Sequence, residues 1–481
     1  MKTQTEHTTP IRSSRDPGNP ITGIIALVSA VLLFGIVAIG QNTKPAKPET
    51  DPPAAESAIA PSLEADLAYR VSIKFHRWVQ ADPAAERALE TYARTTTERL
   101  CLAVVIGELK DANAAADRLH SLANSTPGEG VELDARLLAR VYEHSASQAE
   151  PRDPVLAGIL DESQRADLES RHGFYARVAL THSLPDSDPQ RLEPRSGGWT
   201  FILITFMMLG ILGAIVLGGV LFILAMIFLG LGRLKPAMPR AIPGGSAFLE
   251  VFSIFVGLFL LIKVIVDLLD KHTSISDAAL LFIALGLQWS LLLVPAWPLL
   301  RGMSLTHWKH AIGLTAPKGI AREIGAGIVG YIAGLPVFVA GVIAVLVLMA
   351  LKTFLSGIET EPPANPMIEL MASKNALVVI LFALTAVIWA PLCEELVFRG
   401  ALMRHMSGRL PLILAAFVTA VLFAFMHNYG PMLTPPLIAL GFVFAMMRIW
   451  RGSIIACITA HALHNGTLVL LVIMLLRTIG D

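Results

Sequence analysis

Seven residues near the C-terminal end carry groups that can move a proton or hold a carbonyl oxygen, and each lies in otherwise apolar sequence. In WAPLCEELVFR, residues 389–399, the adjacent carboxylates Glu394 and Glu395 follow Pro391 and precede Arg399. His427 ends LFAFMH, residues 422–427, while His461, His464 and Asn465 fall within AHALHNG, residues 460–466. An ionised side chain at mid-bilayer costs roughly 3 kcal/mol or more unless paired or hydrated, so such residues call for a reason. Helical spacing separates their roles. Glu395 and Arg399 are four apart and share a face, where they can form a charge-assisted pair. Glu394 points about 100° away and has no intrahelical counter-ion, which makes it the better general base. His461 and Asn465 are also four apart, presenting an imidazole and a carboxamide suited to an oxyanion, with His464 rotated off that face. His427, on another helix, is placed to hold a water with Glu394. No Ser or Cys is tied to a base, and Cys393 reads as packing, so direct attack by water on an acyl carbon is the chemistry favoured. The alternative at this point is a buried polar network that only joins helices.

The helices that must position these groups are membrane spans. The chain has 481 residues, 54% hydrophobic and 16% charged, which excludes a purely soluble protein. Nine apolar stretches are long enough or nearly so: 21–40, 199–230, 247–269, 278–299, 324–351, 376–398, 411–427, 435–449 and 453–476. The eighth is short. The expected fold is therefore an all-α polytopic membrane protein of about nine transmembrane helices. Residues 1–20 form a cytoplasmic tail, 21–40 a signal-anchor helix, 41–61 a linker, 62–198 a helical extracytoplasmic domain, 199–322 three membrane helices with loops, and 323–477 the catalytic membrane domain. Ala38-Ile39-Gly40 resembles a cleavage site, but the polar tail before the helix favours an anchor. Asp82-Pro83 opens a helical pattern in the domain between the first two spans, with Cys101 buried in its core.

Charge sorting sets the orientation. With the N-terminus inside, the inner loops hold Arg233, Lys235, Arg240, Arg301, Lys309, Lys318, Arg322, Arg404, Arg409, Arg448 and Arg451, with Glu250 and Glu323 at their edges. Residues 41–198 then lie outside, with 18 bases against 25 acids. Lys263 and Asp267, four apart near an outer end, read as a local snorkelling pair. The 38 bases and 38 acids of the whole chain leave no basic excess for nucleic acid, and three scattered cysteines exclude a disulfide framework. Ideal span ends put Glu394 near the inner surface and His427 near the outer, about 20 Å apart. For the two to meet, the sixth helix must run through Arg404 and the seventh past Tyr429, with Pro391 kinking the sixth.

Taken together, Glu394-Glu395-Leu396-Val397-Phe398-Arg399, Phe423 to His427 and His461 to Asn465 read EExxxR, FxxxH and HxxxN, in that order, on successive apolar helices. This resembles the type II CAAX prenyl endopeptidase and bacteriocin-processing (CPBP, or Abi) family of intramembrane proteases, over roughly 324–476. The resemblance implies peptide hydrolysis in the membrane by a glutamate-activated water. It makes Glu394 the base, His427 the residue that positions the water, and His461 with Asn465 the oxyanion site, supported by Glu395 and Arg399. It also implies a peptide or lipidated protein as substrate and the lipid bilayer as surroundings, most simply the inner membrane. No cofactor is required by this mechanism. Zinc on Glu394, His427 and His461 is the alternative the family carries, although there is no HExxH. A scaffold or a transporter that carries ions on the polar cluster is the reading from a different class.

Overall fold

The computed structural model describes residues 15–42, 61–75, 83–128, 130–147, 153–196, 198–273, 275–356, 371, 373, 375–427 and 430–480. It is 80% helix, with no strand among the described residues. The chain divides into two compact units, one drawn from 1–45 and 209–472 and the other from 46–208 and 473–481.

Among the described residues, seven helices are long and apolar enough to cross a membrane: Ile202–Gly230, Ala247–His272, Ala279–Leu300, Ile320–Ser356, Ala376–Ser407, Leu433–Arg451 and Ile455–Leu476. Two more of the expected nine are present as shorter apolar stretches, Pro20–Leu33 and Leu412–Met426. In chain order, α1 is Pro20–Asn42 and the eight helices from Leu63–Lys74 to Pro189–Arg195 are α2 to α9. They are followed by α10 (Gly198–Gly230), α11 (Ala247–His272) and α12 (Asp277–Ser290). Pro295 lies in the tighter 3₁₀ turn Leu291–Ala296 that continues α12, and α13 (Trp297–Leu300) and α14 (Leu305–Ile312) follow. The last helices are α15 (Ile320–Ser356), α16 (Ala376–Ser407), α17 (Leu412–Met426), α18 (Gly430–Arg451) and α19 (Ile455–Gly480).

Two boundaries differ from the apolar runs in ways that matter. α16 does not stop at Phe398 but continues to Ser407, as convergence of the site required. Hydropathy ends at Arg399, whereas the helix goes on because Arg399 and Arg404 find buried partners. α18 begins five residues before Pro435, so Pro435 and Pro436 sit in its first two turns. α17 ends at Met426 with His427 as its cap, and Tyr429 lies outside the described residues. The Lys263–Asp267 pair is corrected: Asp267 takes Lys271, four residues on in the other direction, at 2.8 Å.

The loops assigned to one side by charge gather at one end of the membrane unit. Arg240 donates to Ser407 O and Leu410 O, the backbone amides of Ala237 and Met238 bond Ile449 O, and Ile454 N–H bonds Gly313 O. Arg448 reaches Ala311 O, and Arg451 forms a bidentate pair with buried Glu323. The start of α1 joins them: Asp16 accepts two-pronged bonds from Arg404 at 2.9–3.3 Å, and Arg15 donates to Gly244 O. α1 packs on α11 through buried Ala26 and Ala30, with Ser253 Oγ donating to Ala26 O at 2.6 Å.

The second unit has its own apolar core, in which Tyr69, Cys101, Tyr142 and Tyr175 are buried. The helical pattern after Asp82-Pro83 is built as two helices. α3 (Pro83–Glu90) ends, and Thr95 with Glu98 forms a capping box that starts α4 (Thr96–Leu109) afresh.

Candidate active site

Glu394, Glu395 and Arg399 sit where α16 departs from regular geometry. A π-turn covers Thr385–Trp389, one short α segment covers Ala390–Glu394, and a second π segment covers Glu395–Leu402. Pro391 lies between them, lacking the N–H an unbroken helix needs there. Single π-turns inside helices concentrate at functional sites, because they rotate the side chains that follow.

The two carboxylates separate as their spacing requires. Glu395 Oε1 accepts from Arg399 at 3.0 Å, and both side chains are wholly buried. Arg399 also donates to Gly441 O on α18 at 3.0 Å, and its guanidinium lies 4.3 Å from the centre of the Phe423 ring. Glu394 turns the other way, toward His427 and His461. Its Oε2 is buried without a hydrogen-bond partner and stands 3.8 Å from Nε2 of each imidazole.

Both imidazoles are oriented from behind. His427 Nδ1 is 2.9 Å from Phe423 O, a carbonyl that only accepts, so Nδ1 carries the hydrogen. His461 Nδ1 is 2.9 Å from Glu395 Oε1 and likewise donates. In a neutral His427, Nε2 is then a lone pair facing Glu394, and Nε2 of His461 faces the same carboxylate oxygen. The Phe444 ring stacks on His461 at 5.1 Å between centres, and Phe423 meets His427 edge-on at 4.7 Å. The separation of 3.8 Å is too long for a direct hydrogen bond, but one water placed between can reach each end at about 2.8 Å.

Asn465, four residues after His461 on α19, donates Nδ2–H to Ala386 O in the first π-turn at 2.7 Å. A second N–H remains on that amide. His464 is off this face, as expected, and bonds the Tyr331 hydroxyl at 3.2 Å while its ring meets Phe338 at 5.3 Å. Cys393 is buried in the apolar cluster around Phe398.

The structure thus brings Glu394, His427 and His461 together, holds Glu395 and Arg399 behind them, and bonds Asn465 of α19 to the preceding turn of α16. Spacing alone did not reveal that His461 touches both glutamates, that Phe423 holds His427 by its carbonyl and Arg399 by its ring, or that Gly441 takes the second arm of Arg399. These are contacts between helices. The one local signal available was Phe423 four residues before His427, whose carbonyl falls within reach of a helix-terminal side chain.

Among the described residues, no three His, Cys, Asp or Glu side chains are grouped for a metal ion.

No solved structure matches the chain. An Escherichia coli protein described as an uncharacterized 24.3 kDa protein is 35% identical over 113 residues, which is 22% of this chain and 52% of its own length. The chain therefore spans about half of that relative. Residues 376–467, which contain the three motifs and every side chain described above except Tyr331 and Phe338, match the family model Type II CAAX prenyl endopeptidase Rce1-like.

Proposed function

We propose that this protein is an intramembrane endopeptidase that cleaves membrane-associated peptides, or the C-terminal region of lipidated proteins, by direct attack of water. The observation that carries the reading is the unpartnered Glu394 Oε2 held 3.8 Å from Nε2 of both His427 and His461. A water in that gap gives one hydrogen to Glu394 and the other to His427 Nε2, so its oxygen faces the substrate. As the oxygen bonds to the carbonyl carbon, Glu394 takes the proton. The oxyanion is met by Nε2–H of His461, whose other ring nitrogen is held by Glu395, and by the second N–H of Asn465. Glu394 then passes its proton to the amide nitrogen as the C–N bond breaks, leaving a carboxylic acid and an amine, with Glu394 ionised again. No step runs through a metal.

The topology belongs to the same proposal. Nine crossings, with the N-terminus cytoplasmic and 41–198 extracytoplasmic in the inner membrane, agree with the basic loops meeting at one end. α17 fits this count because α16 ends and α18 ends among the same loops, so α17 and α18 together make an outward and a return path.

The test is cleavage of a membrane-peptide library by purified wild type and Glu394→Ala in detergent, with and without chelator. Wild type is expected to cleave, Glu394→Ala to be slower by at least about 10²-fold, and chelator to change neither. Equal cleavage by both forms would sink the protease reading and leave the scaffold or ion-carrier class. Loss on chelation alone would transfer the chemistry to a metal.

A further inference from the structure

The contact from Asn465 to Ala386 falls where Pro391 removes one of the donors of α16. In the π-turn before Pro391, Ala390 N–H closes on Thr385 O. The next bond in that register would run from residue 391 to Ala386 O, and a proline nitrogen has no hydrogen to give. Within an apolar unit, water does not replace a missing donor, so the carbonyl must find one on a neighbouring helix or the turn must close up. Asn465 Nδ2–H supplies it at 2.7 Å, from α19. Thr385 beside it is held from another direction, its hydroxyl accepting from Trp289 Nε1 at 3.2 Å.

We propose that Asn465 is a positioning residue: it satisfies the carbonyl that Pro391 leaves without a helical donor, and so fixes the π-turn that aims Glu394 at His427 and His461. This rests on Glu394 being the base. A change of register at residues 385–389 would rotate everything after it, and Glu394 lies only three residues beyond Pro391. The residue type follows from the task. An amide donates without carrying charge, Leu has nearly its shape with no donor, and an ionised Asp would set acceptor against acceptor. Because His461 and Asn465 share one face of α19, a single helix face sets an imidazole beside the reacting carboxylate and holds the backbone before it by the amide. The proposal gives one N–H of Asn465 this work and leaves the other for the substrate oxygen.

The experiment is a double-mutant cycle on the full-length protein, comparing peptide cleavage by wild type, Asn465→Leu, Pro391→Ala and the double variant. Pro391→Ala restores an N–H at position 391 that can bond Ala386 O. Asn465→Leu alone is expected to lower kcat at least tenfold with little change in KM. In the Pro391→Ala background, the loss is expected to shrink by threefold or more. A loss of the same size in both backgrounds overturns the proposal and leaves Asn465 as a donor to substrate only. If Pro391→Ala is itself inactive, the pH dependence of kcat/KM decides. Turning Glu394 relative to its imidazoles displaces the limb governed by the base in Asn465→Leu, whereas loss of an oxyanion donor lowers the rate and leaves that limb in place. Glu394→Ala, run alongside, separates the two readings, since its full activity would remove the protease itself rather than this role for Asn465.

Discussion

At the scale of single residues, the site is a carboxylate pair divided by its surroundings. Glu395 is neutralised by Arg399 and ties down His461, while Glu394 is left with open lone pairs. Removing only the cation should be severe, because a buried carboxylate then loses its partner. Arg399→Met is expected to cost about 3–5 kcal/mol, read as a lowered midpoint of thermal unfolding in detergent. The variant Glu395→Gln with Arg399→Met, which removes both charges, should recover much of that stability without recovering activity. A smaller loss from the single change than from the double would show that the pair is not what holds this end of α16. The Glu395–Arg399 pairing and the outward turn of Glu394 were legible in the spacing of three residues on one helix. The partners on α17, α18 and α19 were not, because nothing local to Glu394 says which imidazole faces it, or that His461 spans both acids.

At the scale of elements, close helix packing depends on α15, where Gly327, Gly330, Gly334 and Gly341 line one side. A Cβ on Gly327 would meet Ala456 O at 2.6 Å and Thr459 Cβ at 2.7 Å, and one on Gly341 would meet Pro436 Cα at 2.8 Å. Backbone cannot give way as a side chain can. Gly327→Ala is therefore expected to destabilise the membrane unit by about 1–3 kcal/mol, whereas Gly325→Ala, which meets nothing within 4 Å, should be neutral. Thermal unfolding of the two variants side by side checks this, and equal midpoints would refute it. Span existence was well marked by apolar runs, since length and composition decide it. The ends were not: α16 continues past Phe398 on polar contacts that hydropathy counts as a stop, and α17, at 15 residues, extends only about 22 Å.

At the scale of the whole molecule, charge sorting foretold which loops would meet, because the basic residues that mark one face also bond the backbone of neighbouring loops. A single-cysteine probe at Ser125, in intact cells, is expected to react with a thiol reagent that cannot cross membranes, and protection there would invert the orientation. The native Cys101, Cys393 and Cys457 are buried and should contribute little background. In the second unit, burial raises the pKa of Glu98, but four hydrogen bonds from Ser62, Arg94 and Thr95 outweigh it and hold the carboxyl below its usual range. Asp134 behaves alike, burial being outweighed by its bonds to His172 and Arg171. With folded values below the unfolded ones of about 4.3 and 3.9, their stabilisation is present above those values and is lost as pH falls through the folded values. Glu98→Gln should flatten the loss of hydrogen-exchange protection in α4 below about pH 4, and an unchanged slope would assign the acid sensitivity elsewhere. The contact between Asp16 and Arg404 has a consequence for synthesis. Its two partners are 388 positions apart in sequence, and the α11 surface that buries Ala26 and Ala30 is also made long after them. α1 therefore gains these partners only once translation has passed Arg404.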